Sequence, residues 1–297
     1  MIKNWISAAR PRTLFLAVAS VILGTGLAWH EGAFNGRTFL FTLLLAVSIQ
    51  ILSNFANDLG DYEKGTDTTG KRQGPTRAMQ SGNISRKQMK IAIGAMIFFS
   101  AMNGIMAVFL SLGISAEAFV MLGIGLLCIL SALFYTMGKH AYGYKGWGDF
   151  FAFFFFGPVP VIGTYFLHTR SFDIQAVLPA IGLGLISSMV LNINNMRDID
   201  NDRASGKITL AARLGLKNAK FYHTLLTFTM FACFIGYNRF FEPLPWYRYA
   251  YVLVFLLPFK ILIDIHAKKQ RALDPYLKFT ALTGFLLAIT FSISINI

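Results

Sequence analysis

Apolar runs of about 20 residues, the length that crosses the hydrocarbon core of a bilayer, recur nine times along the chain. They lie near 13–29, 38–57, 91–112, 115–136, 149–167, 174–195, 221–240, 246–266 and 276–296. Inside lipid each spanning segment must satisfy its own backbone N–H and C=O groups, so runs of this length are helices. Composition agrees: 55% of the residues are hydrophobic, 29 of them Phe, and the mean hydropathy is +0.54, outside the usual range of soluble domains. The first run has no small-residue cleavage site and the spans leave only one long connection, 63–90. The expectation is therefore an all-α polytopic membrane protein of nine transmembrane helices, a single integral domain over residues 1–297, with no signal peptide.

A net charge of +13 would suit a nucleic-acid partner if the bases were clustered without regard to topology. They are not. Of the 27 Lys and Arg residues, 22 fall at the N-terminus or in the loops after even-numbered spans; Arg37, Arg170, Arg239 and Arg248 fall on the other side and Lys260 within a span. The positive-inside rule then puts the N-terminus in the cytoplasm and the C-terminus outside a cell membrane. No nucleic acid and no obligate protein partner is implied. Cys128 and Cys233 fall inside apolar runs without metal or redox spacing, and read as small buried apolar residues.

Seven of the 14 acidic residues lie in two short segments, N-F-A-N-D-L-G-D-Y-E-K-G-T-D (54–67) and N-N-M-R-D-I-D-N-D (194–202), each closing an even-numbered span on the cytoplasmic side. Asn54-x3-Asp58 and Asn194-x3-Asp198 are 140 residues apart, or four spans. That spacing predicts two parallel four-helix halves with a ninth helix added.

Residues four apart share a helix face, so Asn54 and Asp58 align, with Asp61 beside them, and Asn194, Asp198 and Asp202 form a second column. Stacked carboxylates repel, and they stand here at the negative pole of a helix, so a cation belongs between them. All-oxygen ligation points to a hard ion, and Mg²⁺ is usually held by a few carboxylates together with substrate phosphates. Lys71, Arg72, Arg77, Lys139, Lys145, Arg197, Lys207 and Arg213 share those cytoplasmic loops and suit phosphate. Asp200 faces away from Asp198 by the 3.6-residue period and reads as solvated. Asp198-x-Asp200-x-Asp202 is no calcium loop, since Arg203 and Thr209 stand where that loop needs Gly and Glu.

These two motifs, at the ends of spans 2 and 6, resemble those of the UbiA superfamily of intramembrane prenyltransferases. The segments N-D-L-G-D-Y-E-K-G-T-D, G-P-T-R-A-M-Q-S-G-N-I-S, Y-G-Y-K-G-W-G-D-F-F-A-F-F-F-F-G-P-V-P-V-I-G-T-Y and N-N-M-R-D-I-D-N-D-R-A-S-G-K-I-T-L-A-A-R-L-G are similar to the branch that prenylates 1,4-dihydroxy-2-naphthoate in menaquinone synthesis. The resemblance implies a UbiA-type helical bundle and Mg²⁺-dependent transfer from a polyprenyl diphosphate to the naphthoate, with loss of CO₂ and diphosphate. Carried over residue by residue, Asn54, Asp58, Asp61 and Asp67, and Asn194, Asp198 and Asp202, are the metal-motif positions. Arg77, Lys139, Arg197 and Lys207 are diphosphate candidates, although Met137-Gly138-Lys139-His140-Ala141 departs from the Gly-Gly-Pro-like turn of the family. Tyr135 is an aromatic candidate at the cavity. The acceptor carboxylate needs an anchor at the cavity rim, with Lys145, Arg213 or Tyr142 as candidates. The alternatives are a UbiA-type enzyme with another acceptor, such as 4-hydroxybenzoate, haem or a chlorophyllide, and an ion-coupled transporter. A transporter's carboxylates belong near the bilayer midplane, and these lie at one face.

Overall fold

Each of the nine apolar runs is helical. The structure, a computed structural model, describes residues 2–70 and 72–297; Lys71, expected among the phosphate-binding bases, lies outside the described residues. A short helix α1 (Ile2–Ala9) precedes α2 (Pro11–His30), α3 (Gly36–Glu63), α4 (Arg86–Leu112) and α5 (Ala116–Phe134). The fifth run is two helices, α6 (Gly148–Phe156) and α7 (Pro158–Thr169). Then follow α8 (Val177–Arg197), a single turn and a half α9 (Ile199–Ala204), α10 (Leu210–Phe240), a 3₁₀ segment (Trp246–Phe255) leading into α11 (Leu256–Ala267), and α12 (Asp274–Asn296).

Among the described residues eight helical segments are long and apolar enough to cross a bilayer. The seventh run, within α10, is less apolar because it presents buried His223, Thr227 and Asn238 to its neighbours. Large apolar side chains such as Phe98, Leu126 and Phe228 face outward, as lipid-facing positions require. Exposed Trp29 and Trp246 at one set of helix ends and Trp147 at the other occupy positions that suit the two interfaces.

The break between α6 and α7 follows from Gly157-Pro158-Val159-Pro160. The Phe156 carbonyl would normally accept from residue 160, whose proline nitrogen has no hydrogen. Ser20 Oγ takes that place at 2.8 Å. Gly157 brings this junction so near α8 that a Cβ there would lie 2.4 Å from the Gly184 Cα, the close backbone approach that small residues permit in membranes.

The two halves share a plan. In each, the second span packs most extensively on the third, α3 on α4 and α8 on α10, while α12 packs on α2 and α8. The C-terminal ends of α3 and α8 are linked by the residues that follow them: Lys207 Nζ lies 3.4 Å from Asp61 Oδ1, and Asn201 Nδ2 donates to the Thr66 carbonyl at 3.3 Å. Residues 64–70 and 72–84 cover both ends, anchored by buried Ala78, Met79 and Ile84 and by the Gln73 N–H, which donates to Asp198 Oδ1 at 3.2 Å.

Candidate active site

The last turns of α3 are pressed against the end of α5 because residue 60 is glycine; a Cβ there would lie 2.5 Å from Thr136 Oγ1. That proximity lets the Thr136 hydroxyl bond the Ala56 carbonyl at 3.0 Å. Asp58, Asp61 and Asp67 are each only 1% exposed, so their charges need close partners. Asp61 accepts from Arg77 Nη1 at 2.6 Å, Tyr144 Oη at 2.7 Å and Lys207 Nζ at 3.4 Å. Arg77 Nη1 also donates to Asp67 Oδ2 at 3.0 Å and to the Asn57 carbonyl at 3.1 Å, while Arg72 Nε lies 3.4 Å from Asp67 Oδ1. Burial opposes the charge of Arg77, but Asp61 and Asp67 outweigh it and hold the guanidinium firmly protonated. Asp58 Oδ1, like Asp67 Oδ1, is buried without a hydrogen-bond partner, and Asp58 has no ion pair of its own among the described residues.

The second motif is built around Arg197, which is 2% exposed. Its Nη2 donates to Asp198 Oδ2 at 2.5 Å and to Asn194 Oδ1 at 2.8 Å, and its Nη1 donates to Asp274 at the start of α12. Burial raises the cost of charging Asp198, yet the hydrogen bonds and charge of Arg197 keep its carboxyl below the usual range. Asp202 has a weaker set of partners, with Thr209 Oγ1 at 3.4 Å. Burial pushes it up to about 7, Lys207 only partly offsetting the effect, with Asp198 and Asp61 adding to the rise. Asp200 is exposed on the far side, within reach of Gln270 Nε2 at 3.3 Å.

Asp61, Arg77 and Lys207 form the polar end of a cavity of about 550 Å³ enclosed by α2 to α8. Its walls are apolar, with Leu16, Ile49, Ile105 and Met121 among them, and Tyr135, Tyr142, Phe151 and Phe155 contribute rings. The phenylalanine run divides by face: Phe151, Phe155 and Phe156 line the cavity, whereas Phe150 and Phe154 are exposed. Tyr142 is fixed by its hydroxyl, 2.8 Å from Ser131 Oγ, and stacks on Phe151 with ring centres 4.0 Å apart.

The expected residues thus separate. Asp58, Asp61, Asp67, Arg77 and Lys207 converge, with Asn194, Arg197, Asp198 and Asp202 adjoining them, and Tyr135 and Tyr142 in the cavity wall. Lys139, Lys145 and Arg213 are exposed and outside that wall; Arg213 Nη2 donates to the Lys145 carbonyl at 2.7 Å. Asn54 lines the cavity, but its amide nitrogen donates to the Ala9 carbonyl at 2.8 Å and to Thr13 Oγ1 at 2.9 Å. Three contributors were not anticipated from the sequence: Tyr144, Asp274 and Arg10. Arg10 lies in the turn between α1 and α2, lines the cavity, and has its Nη2 buried without a partner. Burial lowers its pKa to about 9, and Arg77 adds to the effect. An Arg-Pro dipeptide before an apolar run was the one visible trace of that turn.

Every donor in the two motifs is oxygen, which suits a hard divalent cation, and the unpartnered Asp58 Oδ1 is an oxygen that such an ion would satisfy. Among the described residues no three Asp, Glu, His or Cys side chains already converge on one point; Arg77, Lys207, Arg72 and Arg197 stand between them.

Residues 17–289 match the UbiA prenyltransferase family. The chain is 39% identical to a 1,4-dihydroxy-2-naphthoate octaprenyltransferase of Haemophilus influenzae, over 100% of this chain and 96% of that one. It is also 39% identical to the Escherichia coli protein of the same description, over 91% and 86%. The fold is similar to those of UbiA homologs from Aeropyrum pernix K1 (TM-score 0.70, 16% identity, 95% of this chain and 96% of that one) and from Archaeoglobus fulgidus, the latter bound to GPP and Mg²⁺ (TM-score 0.70, 13% identity, 99% and 100%). This integral membrane protein therefore belongs to the UbiA prenyltransferase family.

Proposed function

We propose that the protein transfers a polyprenyl group from its diphosphate to 1,4-dihydroxy-2-naphthoate, releasing CO₂ and diphosphate and giving demethylmenaquinol, the reduced form of demethylmenaquinone. The observation that carries the chemistry is the cavity itself, charged at one end by Asp61, Arg77 and Lys207 and apolar and aromatic over the rest. The relatives' shared description as naphthoate prenyltransferases supports this choice of acceptor.

Arg77 and Lys207 face the cavity already charged and fixed by Asp61, so they can receive the diphosphate without reorganising. As the allylic C–O bond breaks, they oppose the negative charge growing on the leaving group. Mg²⁺, when bound, would supply further charge neutralisation there, and Asp58, Asp61, Asp67, Asp198 and Asp202 are the residues that would hold it. The ring faces of Tyr135, Phe151 and Phe155 stabilise the allylic cation, and the apolar walls exclude the water that would otherwise capture it. The electron-rich ring carbon bearing the carboxylate then bonds to the allylic carbon. Loss of CO₂ returns the C–C bonding pair to the ring and restores its aromaticity.

The distribution of Lys and Arg supports a cytoplasmic-membrane location, an N-terminus inside and a site opening to the cytoplasm. The deciding experiment uses purified protein, Mg²⁺, a polyprenyl diphosphate and carboxyl-¹⁴C naphthoate, with 4-hydroxybenzoate as competitor. One labelled CO₂ should be released per prenyl group transferred. Label retained in the prenylated product, or preference for 4-hydroxybenzoate, refutes the acceptor assignment.

A further inference from the structure

Among the described residues four cations line the cavity, and three are already committed: Arg77 to Asp61 and Asp67, Lys207 to Asp61, and Arg12 to Asp274 at 3.3 Å. Arg10 is different. Among the described residues it has no ion pair, and its Nη2 is buried with no acceptor. A buried guanidinium nitrogen left unsatisfied is costly, and here it borders a space able to hold an anion.

The turn that presents Arg10 is itself strained and braced. Arg10 adopts left-handed backbone angles, φ 49° and ψ 70°, which strain a residue with a side chain and persist only where the surroundings enforce them. The Arg10 N–H bonds the Ser7 carbonyl at 3.2 Å, and the Arg10 carbonyl accepts from Thr13 N and Thr13 Oγ1, both at 2.9 Å. Thr13 Oγ1 in turn accepts from Gln50 Nε2 at 3.1 Å and Asn54 Nδ2 at 2.9 Å, and Asn54 Nδ2 also holds the Ala9 carbonyl. Two buried amides of α3 thus fix the position of this one arginine.

The cavity face of α3 shows which anion belongs there. It passes from apolar Leu45 and Ile49, through neutral polar Gln50, Ser53 and Asn57, to charged Asp61. A prenyl diphosphate has its chain in the apolar part and its phosphates at Asp61, Arg77 and Lys207, so its reactive carbon falls at the neutral belt. The aromatic acceptor must meet it there, and Gln50 and Thr13 tie the Arg10 turn to that level. We propose that Arg10 anchors the acceptor's carboxylate, its planar fork matching the two oxygens, while the neutral belt takes the ring hydroxyls. This deepens the reading of the protein as a naphthoate prenyltransferase and rests on it.

The test compares wild type, Arg10→Gln and Arg10→Lys with 1,4-dihydroxy-2-naphthoate and with 1,4-naphthalenediol, which lacks the carboxylate. Arg10→Gln should raise the KM for the acid on the order of tenfold to a hundredfold, the scale of a lost charge-assisted hydrogen bond, and leave the KM for the prenyl diphosphate unchanged. Its effect with the diol should be near unity. Arg10→Lys, which keeps charge without the fork, should fall between. Titration calorimetry of the acid into each protein in detergent, without prenyl diphosphate, should show the same order. An unchanged acceptor KM in either soluble variant, an equal loss with the diol, or a rise confined to the diphosphate overturns the assignment. If wild type transfers nothing to the naphthoate, the functional reading fails first; if it does and the variants ignore the carboxyl, only the role of Arg10 fails.

Discussion

Gly60→Ala tests whether the approach of α3 to the end of α5 shapes the site. In an ordinary helix interior this change is favourable by about 0.5–1 kcal/mol, because alanine loses less backbone entropy on folding. At residue 60 the new Cβ would stand 2.8 Å from the Thr136 carbonyl carbon, whereas ordinary contact begins at 3.4 Å, so the backbones must part by roughly 0.6 Å. The Thr136 hydroxyl bonds to the Ala56 carbonyl and Asn57 Oδ1, now 3.0 and 3.1 Å, would then stretch beyond useful length. Overpacking costs about 1–3 kcal/mol and a lost hydrogen bond about 1 kcal/mol, so destabilisation wins by about 1–3 kcal/mol. Asp58 and Asp61 flank the displaced residue, and a misplacement approaching 1 Å can lower turnover on the order of a hundredfold. Gly94→Ala is the control, since nothing lies within 4 Å of a Cβ on that exposed face of α4; it should raise the melting temperature slightly and leave turnover alone. Melting curves in detergent and kcat would be measured for both. A Gly60→Ala protein as stable and active as wild type refutes the reasoning.

Asp58→Ala and Asp198→Ala should each abolish turnover while the protein still elutes as a folded species in detergent. Asp58 has an unpartnered oxygen to lose, and Arg197 keeps Asn194 and Asp274 when Asp198 is gone; substantial residual activity in either variant would remove that motif from the site. A reporter fused at Ile297 should face outward and one inserted within 68–73 inward, and labelling of both from one side contradicts the topology.

The helices were legible because a bilayer imposes one length and one composition on every span, and the two acidic segments because carboxylates at span ends are costly without a task. The break within 149–167 was not resolved as two helices, since its consequence depends on Ser20, 136 residues away, accepting the role that Pro160 cannot perform. Lys139, a diphosphate candidate from the resemblance, and Lys145 and Arg213, candidates for the acceptor carboxylate, are all basic residues of cytoplasmic loops. Topology alone explains such charges, and nothing local distinguishes them from Arg77, which residues 64–70 and 72–84, folding over two helix ends, leave only partly exposed.

Asn54 shows most clearly why a column on a helix face is an incomplete argument. Its spacing from Asp58 places both on one side of α3, but a side-chain amide is donor and acceptor at once, and the sequence does not say which group it will meet. Here the nitrogen is bound to Ala9 and Thr13, and its Oδ1 lies 3.3 Å from Gln50 Nε2. An aspartate at this position would place an acceptor against the Ala9 carbonyl and release the Arg10 turn, whereas the amide braces it. Conversely, Arg10 carried no periodic or compositional signal, because what distinguishes it is a left-handed backbone and an unpaired nitrogen, and both arise only when α1, α2 and α3 have packed. The residue that sequence spacing assigns to the metal and the residue it passes over are joined by two hydrogen bonds through Thr13, so the first motif acts on both the charged end of the cavity and the belt beside it.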